Sequence, residues 1–280
     1  MPSVLVIGSV NLDLVATVDH LPTPGETVTG AELSRFPGGK GANQALAAQR
    51  LGADVKLIAR VGNDAAADEA LALLHDSGVD LSDCHRVDDA PTGTALIAVA
   101  PSGENQIVVA PGANRQLTPA SLRLSAADAL ICQLEVPTET IAQAAQDFTG
   151  FFAINLAPAM HIDVLILQRA DLVIVNELEA VWYGDSLSAC DGMIATTFGA
   201  AGAVLSKLGE DIARCKPPRV DAVDTTAAGD AFTAALTVAL VEGQEPEAAL
   251  RFACAAGAAT ATKLGAQPSL PTRDDVLALL

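Results

Sequence analysis

Basic residues are scarce in this chain of 280 residues: Lys and Arg total 16 against 34 Asp and Glu, a formal net charge of −18. A nucleic-acid backbone is gripped by clustered cations, so this balance excludes non-specific binding to one. It also means that any anionic substrate must be met by local donors against a repulsive background. No stretch of eighteen or more apolar residues runs free of charge, so no membrane partner is expected. The N-terminus lacks the basic region and cleavage site of a signal peptide, and the expected location is the cytoplasm. The five cysteines (84, 132, 190, 215 and 254) are odd in number and form no CxxC pair. Neither a disulfide framework nor a zinc site is indicated, and they read as small core residues.

What the chain does have is apolar material: half of its residues are hydrophobic, enough to bury a substantial core. One main domain spanning 1–280 is expected. "SVLVIGSV" (3–10) reads as a buried strand, "GGKGANQALAAQRLG" (38–52) as a turn entering an alanine-rich helix, and "DVKLIARVG" (54–62) as a second strand. A helical stretch follows around 65–77, then strands near 129–134, 151–156 and 172–175, and β-rich sequence over 193–215. Helices at 229–242 and 246–263 complete the pattern. This alternation predicts an α/β fold, a mostly parallel sheet with helices on both faces. Residues 14–36 and 92–110 break the rhythm with short β-prone runs separated by Pro and Gly turns. Together they predict a small antiparallel lid.

In an open parallel sheet, ligands bind beyond the carboxyl ends of the strands. Asn11 and Asp13 follow the first predicted strand, Glu135 follows "ALICQL" and Asn176 follows "DLVIV". Each alone could be a turn former. "PGGKGANQ" (37–44) sets three glycines around Lys40, with Asn43 about one helical turn on. It is not a phosphate loop of Walker type, because Gly41 stands where Ser or Thr is required, and no GxGxxG follows the first strand. Its glycines allow close backbone approach to a small ligand, to which Lys40 and Asn43 would donate.

"AVDTTAAGDAF" (222–232) places small residues just where an apolar helical pattern begins. Ala227, Ala228 and Gly229 should form the turn at a helix N-terminus, where free N–H groups and the helix dipole attract anions. Such a turn binds phosphate without a basic cluster. Asp230 would stand beside that phosphate, suited to act as a general base. A carboxylate that simply complements the dipole is the other reading of this spacing.

"GSVNLDL", "PTPGETVTG", "GGKGANQA", "GENQIVVAPGAN", "QLE", "NELEA", "TFGAAGA", "DTTAAGDAF" and "KLGAQPSLP" occur in this order. The set resembles the ribokinase-like (PfkB) carbohydrate kinases over nearly the whole chain. The resemblance implies an ATP-dependent phosphotransferase whose acceptor is a sugar hydroxyl, with the 5-hydroxyl of ribose as the leading candidate. The counterparts of Asn11, Asp13, Gly39, Lys40, Asn43 and Glu135 hold the sugar in that family, and the counterpart of Asp230 deprotonates it. Ala227, Ala228 and Gly229 match its anion hole. Asn176 and Glu179 match an N-x-x-E motif, with Asn176 touching nucleotide phosphates and Glu179 helping to place hydrated Mg²⁺. Thr197, Gly199 and Gly202 resemble its nucleotide-binding stretch, and Cys254 stands near the expected adenine. An activating monovalent cation, usually K⁺, is implied beside Asp224, Thr226, Thr260, Lys263, Gly265 and Ser269. A homodimer through the lid is implied by the same analogy.

The resemblance leaves alternatives open. The acceptor could be deoxyribose, another pentose, fructose or a nucleoside, although the lid offers little aromatic material beyond Phe36 to shelve a base. A catalytically weak sugar-binding protein is a further reading. Its support is the short segment 177–196, where a covering helix is expected to be missing or trimmed and "VWYGDSLSACDG" stands instead.

Overall fold

The computed structural model describes residues 1–280. From the N-terminus come β1 (Ser3–Ile7), β2 (Asn11–Thr17), β3 (Glu32–Gly38), α1 (Lys40–Arg50), β4 (Asp54–Gly62) and α2 (Ala65–Asp76). β5 (Cys84–Val87), β6 (Gly93–Val99), β7 (Asn105–Ala110) and β8 (Ala129–Cys132) follow. Next are α3 (Thr138–Asp147), β9 (Phe151–Asn155), α4 (Val164–Arg169), β10 (Leu172–Asn176), α5 (Glu177–Tyr183) and β11 (Met193–Thr197). The chain closes with β12 (Ala203–Lys207), β13 (Glu210–Cys215), α6 (Ala228–Val241), α7 (Pro246–Thr260), α8 (Ala266–Ser269) and α9 (Arg273–Leu277).

Nine strands form the large sheet in the order β13-β12-β11-β10-β9-β8-β1-β4-β5. All pair in parallel except β12 and β13, which fold back as an antiparallel edge. Alternation along β1 shows why the sheet is buried on both faces. Val4 and Val6 join the core beneath α1, α2, α6 and α7, while Leu5 and Ile7 join the core beneath α3 and α4. Alanines set the spacing on the first face: Ala42, Ala45, Ala47 and Ala48 of α1 are fully buried and let that helix approach the sheet and α6 closely. The topological switch lies between β1 and β8, whose successors lead to opposite ends of the sheet.

The two insertions form a second sheet, β3-β2-β6-β7. Its outer pairs are antiparallel as expected, but β2 and β6 at its centre run parallel, because both leave the large sheet in the same direction.

The structure refines the sequence reading at three places. The first strand ends at Ile7 rather than residue 10, and Asn11 and Asp13 belong to lid strand β2, where both flanking strands capture their backbone. β5 escaped notice because "CHRV" is short and half polar. In the segment 177–196 the covering helix is trimmed rather than missing: the seven-residue α5 and a following 3₁₀ turn span it, and Tyr183 closes over the core while bonding the backbone of Met160. Trp182 stays largely at the surface, against His161.

Candidate active site

β2 carries the first polar residues into the crevice. Asn11 and Asp13, two apart on an extended strand, share one side and are both buried. Asn11 Oδ1 accepts from Asn114 Nδ2 at 2.8 Å, and Asn114 also exchanges hydrogen bonds with the Val10 backbone. Asn114 thereby fixes which face Asn11 shows. The Asp13 carboxyl is pushed up to about 7 by burial and by the neighbouring charges of Glu135 and Asp230. Three acids thus converge where a polyhydroxylated ligand has donors to offer.

Gly39 turns the chain from β3 into α1 at φ 89, a region open to glycine, and a Cβ there would lie 2.7 Å from the Asn11 amide nitrogen. The turn delivers Lys40 to the helix start. Its amide N–H donates to Glu135 Oε2 at 3.1 Å, and the Ser9 hydroxyl donates to the same oxygen. Burial works against the Lys40 charge, but Asp230, Glu135 and Glu179 outweigh it and raise its pKa. The ammonium therefore stays protonated.

Asp230 lies in the first turn of α6 and is buried. Asn43 Nδ2 donates to its Oδ2 and Gln44 Nε2 to its Oδ1, each at 2.9 Å. Before it, Ala227 adopts the left-handed conformation at φ 61. The amides of Ala227, Gly229 and Asp230 have no hydrogen-bond acceptor in the protein, whereas that of Ala228 reaches Thr225 O at 3.2 Å. The helix N-terminus therefore offers three unpaired donors.

Two cavities meet at this turn. One of about 210 Å³ is bounded by Lys40, Asn155, Asn176, Glu179, Gly229 and Asp230 among others, with Lys40 its sole basic residue. The second, of about 120 Å³, is lined by Thr197, Gly199, Gly202, Gly229, Cys254 and Gly257 together with apolar neighbours. Thr197 and Gly229 border both, so the two lie side by side. The β10/β11 register sets Asn176 beside Thr197 at its edge. Asn176 and Glu179 also form a reciprocal capping box at the start of α5, each side chain taking the other's N–H at 2.8 Å. Glu179 keeps Oε1 free of protein partners, and burial raises its pKa.

The residues expected around a monovalent cation come together behind this turn. Asp224 Oδ1 accepts from the N–H and hydroxyl of Thr226, and its Oδ2 accepts from Gly265 N–H at 2.9 Å. Despite the opposing effect of burial, these bonds hold its pKa below the usual carboxylate value. Val223 and Asp224 also donate their amides to Ala261 O, which fastens 223–226 to the end of α7. The Thr260 and Ser269 hydroxyls are committed to the carbonyls of Ala256 and Ala266.

The chain matches the model of the pfkB family carbohydrate kinases over residues 1–273. It belongs to that family. Its members transfer a phosphoryl group to an alcohol, and this chain is accordingly a carbohydrate kinase. It is 38% identical to the ribokinase of Haemophilus influenzae, over 98% of this chain and 97% of that one. Among solved structures, Thermotoga maritima ribokinase superposes with a TM-score of 0.91 at 35% identity, covering 100% of this chain and 99% of that one. Arabidopsis thaliana ribokinase, solved with ribose and ATP, gives 0.89 at 30%, covering 99% and 98%.

The charged residues singled out in the sequence converge on one crevice, whereas the amides that order it went unnoticed: Gln44 on Asp230, Gln133 and Asn155 on Gln44, and Asn114 on Asn11. All four lie inside the quoted motifs or next to a strand end. No charge or spacing distinguished them from ordinary turn and helix residues.

Proposed function

We propose that this chain is an ATP-dependent ribokinase that transfers the γ-phosphoryl group to the 5-hydroxyl of D-ribose. One observation carries the reading: a buried carboxylate, Asp230, stands between a polar crevice and three unpaired amides at a helix N-terminus. Asn11, Asp13, Gly39, Lys40, Asn43 and Glu135 hold the sugar hydroxyls. Asp230 takes the proton of the attacking hydroxyl, which needs a base within reach at the moment of attack. The amides of Ala227, Gly229 and Asp230 stabilise charge developing on the transferring phosphoryl oxygens, the main catalytic device for this reaction. Ala228 can join them by releasing its long bond to Thr225 O. Thr197, Gly199 and Gly202 line the nucleotide side, with Cys254 at the adenine end.

The donor set fits the expected metals. Mg²⁺ prefers oxygen ligands and retains several waters, and Glu179 has one carboxylate oxygen free for such a hydrated ion, with Asn176 beside it. When bound it neutralises phosphate charge. Asp224, Thr226, Thr260, Lys263, Gly265 and Ser269, most of them through carbonyl oxygens, would supply hard oxygen for K⁺, whose contribution is to stiffen the loop leading to α6.

The chain acts as one unit, 1–280, in the cytoplasm. It works as a homodimer through the lid, whose surface exposes Leu33, Leu96, Ile107, Val108 and Val109; sedimentation across a concentration series checks this. Coupled ADP-release assays with ribose, deoxyribose, fructose, other pentoses and nucleosides test the substrate. Ribose should give the highest kcat/KM, and a higher value for another acceptor refutes the assignment.

A further inference from the structure

We propose that Gln44 is a positioning residue for phosphoryl transfer: its side-chain amide fixes the plane of the Asp230 carboxylate, and Gln133 and Asn155 fix that amide. The inference rests on Asp230 acting as the general base.

The network allows one orientation of each amide. An ionised carboxylate only accepts, so Gln44 must turn its NH₂ toward Asp230, and Nε2 lies 2.9 Å from Oδ1. Nε2 also donates to Asn155 Oδ1 at 3.2 Å. Oε1 of Gln44 must then face a donor, and it receives Gln133 Nε2 at 2.6 Å. Asn155 in turn donates Nδ2 to the Ile174 carbonyl at 3.2 Å. The chain of bonds therefore runs from the ends of β8, β9 and β10, through α1, to the base on α6.

Gln44 and Gln133 are fully buried and Asn155 nearly so, so water does not compete for these bonds. The arrangement leaves Gln133 Oε1 buried without a partner, a cost tolerated only because the opposite flip would turn an oxygen toward Gln44 Oε1. A carboxylate held by one amide can rotate about its Cβ–Cγ bond. Held by Asn43 on one oxygen and Gln44 on the other, it keeps its remaining lone pairs aimed at the cavity. Both holders are uncharged at every working pH, so they place the base without donating a proton to it.

The test compares Gln44→Met, Gln44→Glu and Asp230→Asn in the full chain by steady-state kinetics at pH 5.5 and pH 8. Gln44→Met should lower kcat on the order of 10-fold at both pH values, with sugar KM within about threefold. Gln44→Glu should lower kcat at pH 8, where two carboxylates face each other. It should recover to within about threefold of the parent at pH 5.5, where a protonated Glu donates as the amide did. A purely structural role predicts that any loss in Gln44→Glu follows the fraction of folded enzyme, read from thermal melts at each pH. Equal losses at both pH values for Gln44→Glu, or kcat unchanged in Gln44→Met, overturn the inference. If Gln44→Met fails to fold, the pH dependence of Gln44→Glu decides alone. If Asp230→Asn retains kcat, the base itself is misassigned. If Asp230→Asn is inactive while both Gln44 variants behave as the parent, only the role of Gln44 falls.

Discussion

Asn43 Nδ2 donates to Asp230 Oδ2 at 2.9 Å, tying the first turn of α1 to the first turn of α6 across 187 residues of sequence. Replacing Asp230 by Asn retains its shape and removes its capacity to accept a proton. We expect kcat to fall at least about 10²-fold with sugar KM changed no more than several-fold, as measured by coupled ADP release. Undiminished turnover would remove Asp230 from the chemistry.

Asp13 links stability to pH. Its pKa is raised in the folded chain to about 7, so the stability it contributes is complete below about pH 4 and drains away as pH rises through 7. Asp13→Asn abolishes this loss. In thermal melts without sugar, the variant should gain on the parent by about 2–4 kcal/mol between pH 4 and pH 8. A constant difference between the two proteins across that window contradicts the prediction. Ribose should stabilise the parent more than the variant, which keeps the other sugar contacts.

The loop behind α6 predicts an ion effect. Asp224 already satisfies Thr226 and Gly265, so the segment is preformed and a cation of the right size has only to complete it. Replacing K⁺ by Na⁺ at constant ionic strength should depress kcat. Equal rates in the two salts would show that residues 224, 226, 260, 263, 265 and 269 hold no activating ion.

Ala227 occupies the left-handed region at φ 61, where a Cβ costs about 1 kcal/mol. Ala227→Gly should therefore raise the melting temperature by about 1–3 °C with little change in turnover. Ala227→Val should lower it, because a β-branched side chain suits that conformation worse. A lower melting temperature for the glycine variant would mean that its extra freedom in the unfolded chain outweighs the relieved strain.

The centre of the large sheet was legible because β1, β4, β8, β9 and β10 are largely buried and read as apolar runs, while the helices between them carry alanine at the contact positions. The α6 turn was legible for the opposite reason: small residues next to a carboxylate have no packing purpose. The boundary between β1 and β2 was not, since "GSVNLDL" keeps an apolar residue at every other position through the change of sheet, and only the partners of Asn11 reveal it. Nor did the N-x-x-E spacing disclose its second task, the capping box that anchors α5. The amides around Asp230 remained hidden because hydrogen-bond geometry between residues 44, 133 and 155 exists only after folding.

β2 begins at Asn11, beside the polar crevice, and continues into the centre of the second sheet without a break. Cover and selector are consequently one rigid strut. Any swing of the outer sheet tilts Asn11 and Asp13 with it, so, if these two grip the sugar as proposed, a guest with misplaced hydroxyls would be penalised twice, once in grip and once in shelter from water.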